Sequence, residues 1–323
     1  MVAASPTAWI RSLRSPKREV DPYTPLASFW ETERTAAQGG KIEALATLTL
    51  LLAGAECPFT CVFCDLWRET LPGATPTGAL PAQLRAALAE SAPLPRPSAV
   101  KLYNASNFFE PRAVPPADEA ELLALLAPFS RVTVECHPRL VGERCLAFAA
   151  RLAGRLEVAM GLETVHEEAL ARLNKGMLLP DFDRAAATLR GAGIALRAFV
   201  LVAPPFVPAA EAVDWAVRSA AHAFAQGAER VALIPVREGN GALEALREAG
   251  EWTPPTLEQL EEALERCLAL PAAGTGITTV DLWDALHLAS CFECGERRLD
   301  RLTRMNRSGH VEPRSPCAAC GWS

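Results

Sequence analysis

The sequence predicts an α/β fold, a partial (β/α)6 barrel followed by a small C-terminal module that contains four cysteines. Six short apolar runs alternate with longer stretches whose apolar residues have helical spacing. The runs are predominantly apolar, which is typical of parallel strands covered by helices. Six such units are too few for a complete eightfold barrel, so we expect a partial or open one.

The length and composition agree with this fold. The chain has 323 residues, of which 50% are hydrophobic and 22% are charged. These proportions exclude a disordered or coiled-coil protein. The length suits one α/β barrel with extensions or two average domains. The expected division is an irregular leader over residues 1–44, a barrel with a trailing helix over 45–283 and the cysteine module over 284–323.

The predicted elements follow the leader in regular order. The strands cover residues 46–52, 99–103, 131–136, 156–162, 195–203 and 230–236. The helices cover residues 81–90, 117–126, 143–152, 167–172, 181–192, 209–226 and 256–270. From about residue 284 the chain becomes rich in cysteine and arginine, which predicts an appended module.

The charge of the chain limits its partners. With 32 Lys and Arg against 38 Asp and Glu, the net charge is −6, so nucleic acid could be contacted only through a local basic patch. The longest apolar run, residues 44–55, is shorter than the ~20 residues that cross a bilayer, and no signal peptide is expected. We therefore expect a cytoplasmic protein with no membrane partner, whose clustered cysteines bind metal.

Three cysteines follow the first predicted strand. Cys57, Cys61 and Cys64 have the spacing Cys-x3-Cys-x2-Cys, and the next cysteine, Cys136, is 72 residues further on. Soft sulfur ligands select iron–sulfur clusters, zinc or copper(I). Ordinary iron–sulfur clusters have four cysteine ligands, so three thiolates leave one metal position open, as in a catalytic site. The alternatives are a zinc site completed by a distant residue, or three buried thiols without metal.

The motif Cys57-x3-Cys61-x-Phe63-Cys64 resembles the signature of the radical S-adenosylmethionine (SAM) enzymes. The resemblance covers residues 45–236 and implies a [4Fe–4S] cluster whose fourth iron is chelated by SAM. It also implies that one electron cleaves SAM to methionine and a 5′-deoxyadenosyl radical, which abstracts hydrogen from a substrate. A reductant such as flavodoxin or ferredoxin would supply the electron.

The same resemblance suggests residues that contact SAM. Asn104, Ala105 and Ser106 follow the second strand, where many family members have a Gly-Gly-Glu turn that meets the SAM amino group. The glycines are absent here, so Asn104 and Ser106 are assigned by position. Glu135, at the end of the third strand, could accept hydrogen bonds from a ribose or an ammonium group, or lie exposed at a strand end.

The fourth strand ends in Gly-Leu-Glu-Thr over residues 161–164, and Leu-Asn-Lys-Gly follows over 173–176. This pair of segments resembles the catalytic subunit of Elongator and its relatives, and it implies that Glu163 contacts SAM. Asn174 and Lys175 either face the substrate or cap a helix. Arg197 on the fifth strand could approach the SAM carboxylate, or it could be a surface residue.

Four further cysteines lie near the C-terminus. Cys291 and Cys294 form one Cys-x2-Cys pair and Cys317 and Cys320 another, with 22 residues between the pairs. Four thiolates with this spacing suit tetrahedral zinc, whose binding contributes folding energy. The alternative is an auxiliary [4Fe–4S] cluster, which some radical SAM enzymes carry after the barrel.

An arginine-rich segment, residues 297–314, separates the two cysteine pairs. Arginine binds phosphate through paired hydrogen bonds, so this segment predicts a tRNA contact, with a solvated charged face as the alternative. Residues 65–70, residues 108–110 and the two cysteine pairs resemble the radical SAM subunits of archaeosine synthases, which cleave a lysine adduct on a tRNA base. Two other functions remain open, namely radical chemistry on a small molecule or peptide, and an iron–sulfur electron carrier or sensor without SAM chemistry.

Overall fold

The computed structural model describes residues 5–36, 42–270 and 276–322. Eight strands form one sheet in which each strand pairs with the next in sequence. The strands are β1 (Ala27–Ala36), β2 (Ile42–Leu52), β3 (Ser98–Asn104), β4 (Arg131–Glu135), β5 (Arg155–Glu163), β6 (Ala195–Val202), β7 (Arg230–Pro235) and β8 (Ile277–Val280). β1 is antiparallel to β2, and every later pair is parallel. β1 and β8 also touch, so the sheet nearly closes into a barrel.

Helices connect the parallel strands and pack against the sheet. They are α1 (Pro6–Ser12), α2 (Ala79–Glu90), α3 (Glu119–Leu126), α4 (Glu143–Arg151), α5 (Glu167–Arg172), α6 (Leu179–Gly191), α7 (Ala212–Ala225), α8 (Ala242–Glu248), α9 (Leu257–Leu268) and α10 (Gly295–Ser308). Thr256 and Gln259 begin α9 with reciprocal side-chain caps. Within the described ranges, no helix combines the length and apolarity that spanning a bilayer requires.

The predicted α/β barrel is confirmed, and its six predicted strands correspond to β2–β7. The prediction of an irregular leader is wrong for α1 and β1, because β1 pairs with β2 along its full length. β1 was missed because it carries charged side chains, including Glu31 and Glu33, where an apolar run was sought. β8 was missed because it has only four residues.

A network of buried charges fills the barrel interior near the amino-terminal ends of the parallel strands. Arg197 Nε donates to Glu157 Oε1 (2.5 Å), and Arg197 Nη2 donates to Glu33 Oε2 (2.8 Å). The same guanidinium reaches the hydroxyl of Tyr103 (3.0 Å), and Arg131 Nη1 donates to Glu157 Oε2 (2.7 Å). Contacts among β1, β3, β5 and β6, several of which are not neighbours in the sheet, require these side chains to point into the barrel.

We expect Glu157→Ala to lower the free energy of unfolding by about 3–5 kcal/mol, because it leaves buried guanidinium groups without their shared carboxylate. Burial alone would raise the pKa of Glu157, but Arg197, Arg230 and Arg131 outweigh it and lower the pKa to about 2. The depressed pKa means that the ionised carboxylate stabilises the fold above pH 4.5 and that this contribution is lost as the pH falls towards 2. Denaturant unfolding at pH 7 measures the loss.

The matched control is Glu251→Gln, which removes an ion pair between two half-exposed side chains, Glu251 and Arg172. It should cost less than about 1 kcal/mol. Equal losses for the two variants would contradict a stabilising role for the buried network.

Candidate functional site

The three early cysteines lie in the loop that follows β2, at the edge where the parallel strands end. Each thiol is partly buried and forms no disulfide. Hydrogen bonds tie this loop to the segments that follow β3, β5 and β7. They run from Cys57 N to Ala105 O (3.2 Å), from Val62 N to Leu173 O (3.0 Å), from Asn174 Nδ2 to Thr60 O (2.7 Å) and from Asn240 Nδ2 to Val62 O (2.7 Å). The carboxyl edge of the barrel therefore holds the cysteine loop at several points.

The chemistry of the three thiols depends on their burial. Burial raises the pKa of the Cys57 thiol, raises that of Cys61 to about 12 and raises that of Cys64 further. Without metal these sulfurs are protonated, whereas a bound metal would take them as thiolates.

The turn after β3 carries buried polar atoms without partners. Both side-chain amide atoms of Asn104 and the hydroxyl of Ser106 are buried and make no hydrogen bond. An unpaired buried polar group costs about 1–3 kcal/mol, so a ligand with donors and acceptors would stabilise this turn. Asn107 Nδ2 lies 3.4 Å from the Cys57 sulfur, which places the turn beside the cysteine loop. These residues fit a bound SAM next to a cluster.

The last residues of β4 and β5 contribute two carboxylates, Glu135, which is partly buried, and Glu163, which is buried. Glu135 Oε2 accepts a hydrogen bond from Asn104 N (3.0 Å), which fixes Glu135 against the turn after β3. Glu163 Oε1 accepts a hydrogen bond from Lys175 Nζ at 2.6 Å, and both side chains are buried. Glu163 has a φ of 66°, an unusual backbone conformation for a residue other than glycine. Glu135 is therefore not the exposed strand end that the sequence left open.

We expect Glu135 to make stability depend on pH. Burial raises its pKa to about 8, so the folded protein keeps this proton at pH values where the unfolded chain releases it near 4.5. The free energy of unfolding should therefore fall as the pH rises from 4.5 to 8, by at most about 1.4 kcal/mol per pH unit from this group. Denaturant unfolding of SAM-free wild type and Glu135→Gln across this range should show the decline in wild type only. Parallel curves for the two proteins would contradict it.

Three comparisons with known proteins bear on this site. No protein-family model matches the chain. It is 28% identical over 236 residues to the archaeosine synthase subunit beta of Methanosarcina acetivorans, which covers 69% of this chain and 67% of that one. Its structure resembles the archaeal Elp3 of Methanocaldococcus infernus, with a TM-score of 0.56 and 15% identity over 82% of this chain and 64% of that one. Methylornithine synthase (PylB) gives a TM-score of 0.51 at 12% identity, over 74% and 67% of the two chains.

These similarities in sequence and fold confirm the predicted resemblance to the Elongator-like radical SAM group, which rested on the cysteine motif and the Leu-Asn-Lys-Gly segment. The chain spans about two thirds of the length of each of these three relatives.

Arg197 lies inside the barrel and is already paired. It is the third residue of β6, near the amino-terminal end of the strand, whereas ligands of such barrels bind at the carboxyl end. Its guanidinium donates to Glu157, Glu33 and the hydroxyl of Tyr103. Its contact with the SAM carboxylate stays a prediction, and these partners compete for the guanidinium.

The roles suggested for Asn174 and Lys175 are revised. Asn174 donates to the carbonyl of Thr60 and to the hydroxyl of Thr7, so it supports the cysteine loop. Lys175 points inward to Glu163. In these contacts, neither side chain caps a helix. Asn240, which also binds the cysteine loop, was not predicted, although a polar residue after the last central strand is a usable signal.

The structure brings the four C-terminal cysteines together. The sulfurs of Cys291 and Cys317 are 4.0 Å apart, those of Cys294 and Cys320 are 3.8 Å apart, and all four ligand atoms lie within 4.8 Å of one another. Four sulfurs at about 2.3 Å from one tetrahedral ion are about 3.8 Å apart. The group can therefore hold a metal ion.

The arginine-rich segment next to these cysteines is largely paired inside the protein. Arg298 is completely buried and donates to Glu258 (2.6 Å) and Glu261 (2.6 Å) of α9. Arg301 is also buried and donates to Glu265 (2.7 Å). Other ion pairs join Arg304 to Glu312 and Arg314 to Glu265. The predicted tRNA contact is thus wrong for Arg298 and Arg301, because their charges bind α10 to α9.

Proposed function

We propose that this enzyme binds a [4Fe–4S] cluster through Cys57, Cys61 and Cys64 and uses SAM for radical chemistry on a tRNA base. The observation that carries the proposal is the position of three thiols beside a turn whose buried polar atoms lack partners. When bound, the cluster and SAM supply, from one electron, methionine and a 5′-deoxyadenosyl radical that takes a hydrogen atom from the substrate.

The residues around the cysteine loop would hold SAM. Asn104 and Ser106 offer an amide and a hydroxyl to its amino acid part. Glu135 can accept a hydrogen bond from an ammonium or ribose group, and it can release its proton as a positively charged ligand arrives. Glu163 offers a carboxylate from the end of the neighbouring strand. Asn104 and Glu163 are buried and Ser106 and Glu135 are partly buried, which limits the access of water to the reacting atoms.

The support for a tRNA substrate comes from the relatives. The chain is similar in sequence to an archaeosine synthase subunit beta and in fold to Elp3. One structural observation favours a second candidate, a small molecule or peptide. The pairing of Arg298, Arg301, Arg304 and Arg314 with acids leaves little free positive charge in the segment expected to meet phosphates.

Anaerobic reconstitution with iron and sulfide tests the proposal. The protein should then cleave SAM to 5′-deoxyadenosine and methionine when a reductant such as dithionite, flavodoxin or ferredoxin is added. Addition of unmodified or 7-deazaguanine-containing tRNA should increase 5′-deoxyadenosine formation, with binding that weakens steeply as salt rises. Cleavage stimulated by a metabolite or peptide and not by tRNA would favour the second candidate. A reversible redox signal without 5′-deoxyadenosine would indicate a carrier or sensor.

We also propose that the C-terminal cysteines hold one zinc ion. The sulfur separations of 3.8 and 4.0 Å match a single tetrahedral ion. In a [4Fe–4S] cluster each thiolate binds a different iron, so its four sulfurs stand farther apart. Metal analysis should therefore find zinc bound to this module in addition to the iron of the radical SAM site.

A further inference from the structure

Lys175 places a buried positive charge beside the cysteine loop. The residue lies between α5 and α6, and its side chain is 9% exposed. Nζ is 2.6 Å from Glu163 Oε1, and this carboxylate is the partner that the described contacts give to the ammonium group. A buried ammonium group is retained in a protein only where nearby negative groups compensate its loss of water.

The backbone around Lys175 is attached directly to the cysteine loop. Leu173 and Asn174, which precede it, bind the main chain of that loop. The Lys175 carbonyl lies 3.0 Å from His137 Nε2, and the ring of His137 stacks on Phe59 at 3.8 Å between centroids. Phe59 lies between the first two cysteines. The lysine is therefore held at a fixed position relative to the thiols.

The protein also leaves space for the Lys175–Glu163 pair. A Cβ on Gly161 would be 2.5 Å from Lys175 Nζ and would collide with the Glu163 carboxylate. Gly161 does not have a positive φ, so the lack of a side chain there is explained by the space that the Lys175–Glu163 pair occupies. Burial alone would lower the pKa of Lys175, but the Glu163 carboxylate outweighs it, and Cys61 and Cys57 would raise the pKa further once they are thiolates. The ammonium group is thus electrostatically coupled to two of the thiols.

We propose that Lys175 is a positioning residue that raises the reduction potential of the cluster bound by Cys57, Cys61 and Cys64, with Glu163 as its counter-charge. The inference rests on the proposed cluster. Reduction adds one negative charge to the cluster, so a nearby cation stabilises the reduced form and a nearby anion destabilises it. Burial strengthens both effects because little water screens the charges.

Redox titration followed by electron paramagnetic resonance tests this on reconstituted full-length protein without SAM. Lys175→Met leaves the Glu163 anion alone and should shift the reduction equilibrium about tenfold towards the oxidised cluster, a change of about 59 mV for one electron. Glu163→Gln leaves the ammonium group alone and should shift it in the opposite direction. The double variant should lie between the two single variants, and Lys175→Arg should remain near wild type.

If one of the two single variants binds too little iron, the other still tests the inference. Each variant has its own expected direction of change in the reduction potential. Shifts of the same sign, or an unchanged potential in a variant with a full cluster, would overturn the role of Lys175 while leaving the proposed function intact. If wild type itself assembles no cluster, the proposed function and this inference both fail.

Discussion

Cys61→Ala should reduce the cleavage of SAM to background and should strip most of the iron from the reconstituted protein. Loss of a hydrogen-bond partner of a metal ligand already lowers metal affinity or activity about 10–100-fold. Loss of the ligand itself should therefore lower them by more than about a hundredfold. Cys136, Cys145 and Cys267 are buried in the apolar core, and the four C-terminal cysteines form a group of their own. The measurements are iron content, the visible spectrum of the cluster and the yield of 5′-deoxyadenosine after reduction with SAM.

The control for this experiment is Cys267→Ala, which removes a buried thiol of α9 that packs among apolar side chains. This variant should keep the iron content and SAM cleavage of wild type. Retention of both by Cys61→Ala would remove the assignment of the cluster to this loop.

Cys294→Ala should release the zinc and unfold the C-terminal module locally. Cys294 is buried and immediately precedes α10, so its sulfur connects the metal to the start of that helix. Structural zinc contributes roughly 10–16 kcal/mol of apparent binding energy in small zinc peptides. Loss of this stabilisation should make amide hydrogen exchange faster over residues 291–322, while the exchange of β2–β7 changes little.

Contacts of α10 with the rest of the protein explain why unfolding after the loss of zinc should at first remain local. Arg298 joins α10 to Glu261 of α9, and its guanidinium also lies 4.7 Å from the Trp322 ring. Cys145→Ala, in the barrel core, is the control and should leave zinc content and α10 exchange unchanged. Iron in place of zinc at the C-terminal cysteines would show an auxiliary cluster, and unaltered exchange after Cys294→Ala would contradict a structural role for the metal.

Local patterns in the sequence were sufficient for the centre of the barrel. The six runs that became β2–β7 are mostly apolar because both faces of a central parallel strand are buried. The cysteine spacing was readable because ligands of one site lie close in sequence. The carboxyl ends of the strands indicated Asn104, Ser106, Glu135 and Glu163, which the structure places at one edge, although their contacts with SAM remain predictions.

Charged residues whose partners are distant in sequence were harder to place. The sequence did not show that Arg197 pairs with Glu33, which is 164 residues away. Arg298 and Arg301 were expected on an RNA-binding surface, and their acidic partners lie on α9 about 36 residues earlier. A charge pattern in a sequence shows neither whether a side chain is buried nor which group neutralises it.

The amino-acid sequence by itself determined the class of the fold, the central strands and the two groups of cysteines, because apolar periodicity and ligand spacing are local properties. Only the tertiary structure decided that β1 carries acids into the barrel, that Lys175 faces Glu163 beside the thiols and that the C-terminal arginines bind α9. These facts depend on which distant segments meet when the sheet curves, and ion pairing across such distances has no periodic signature along the chain.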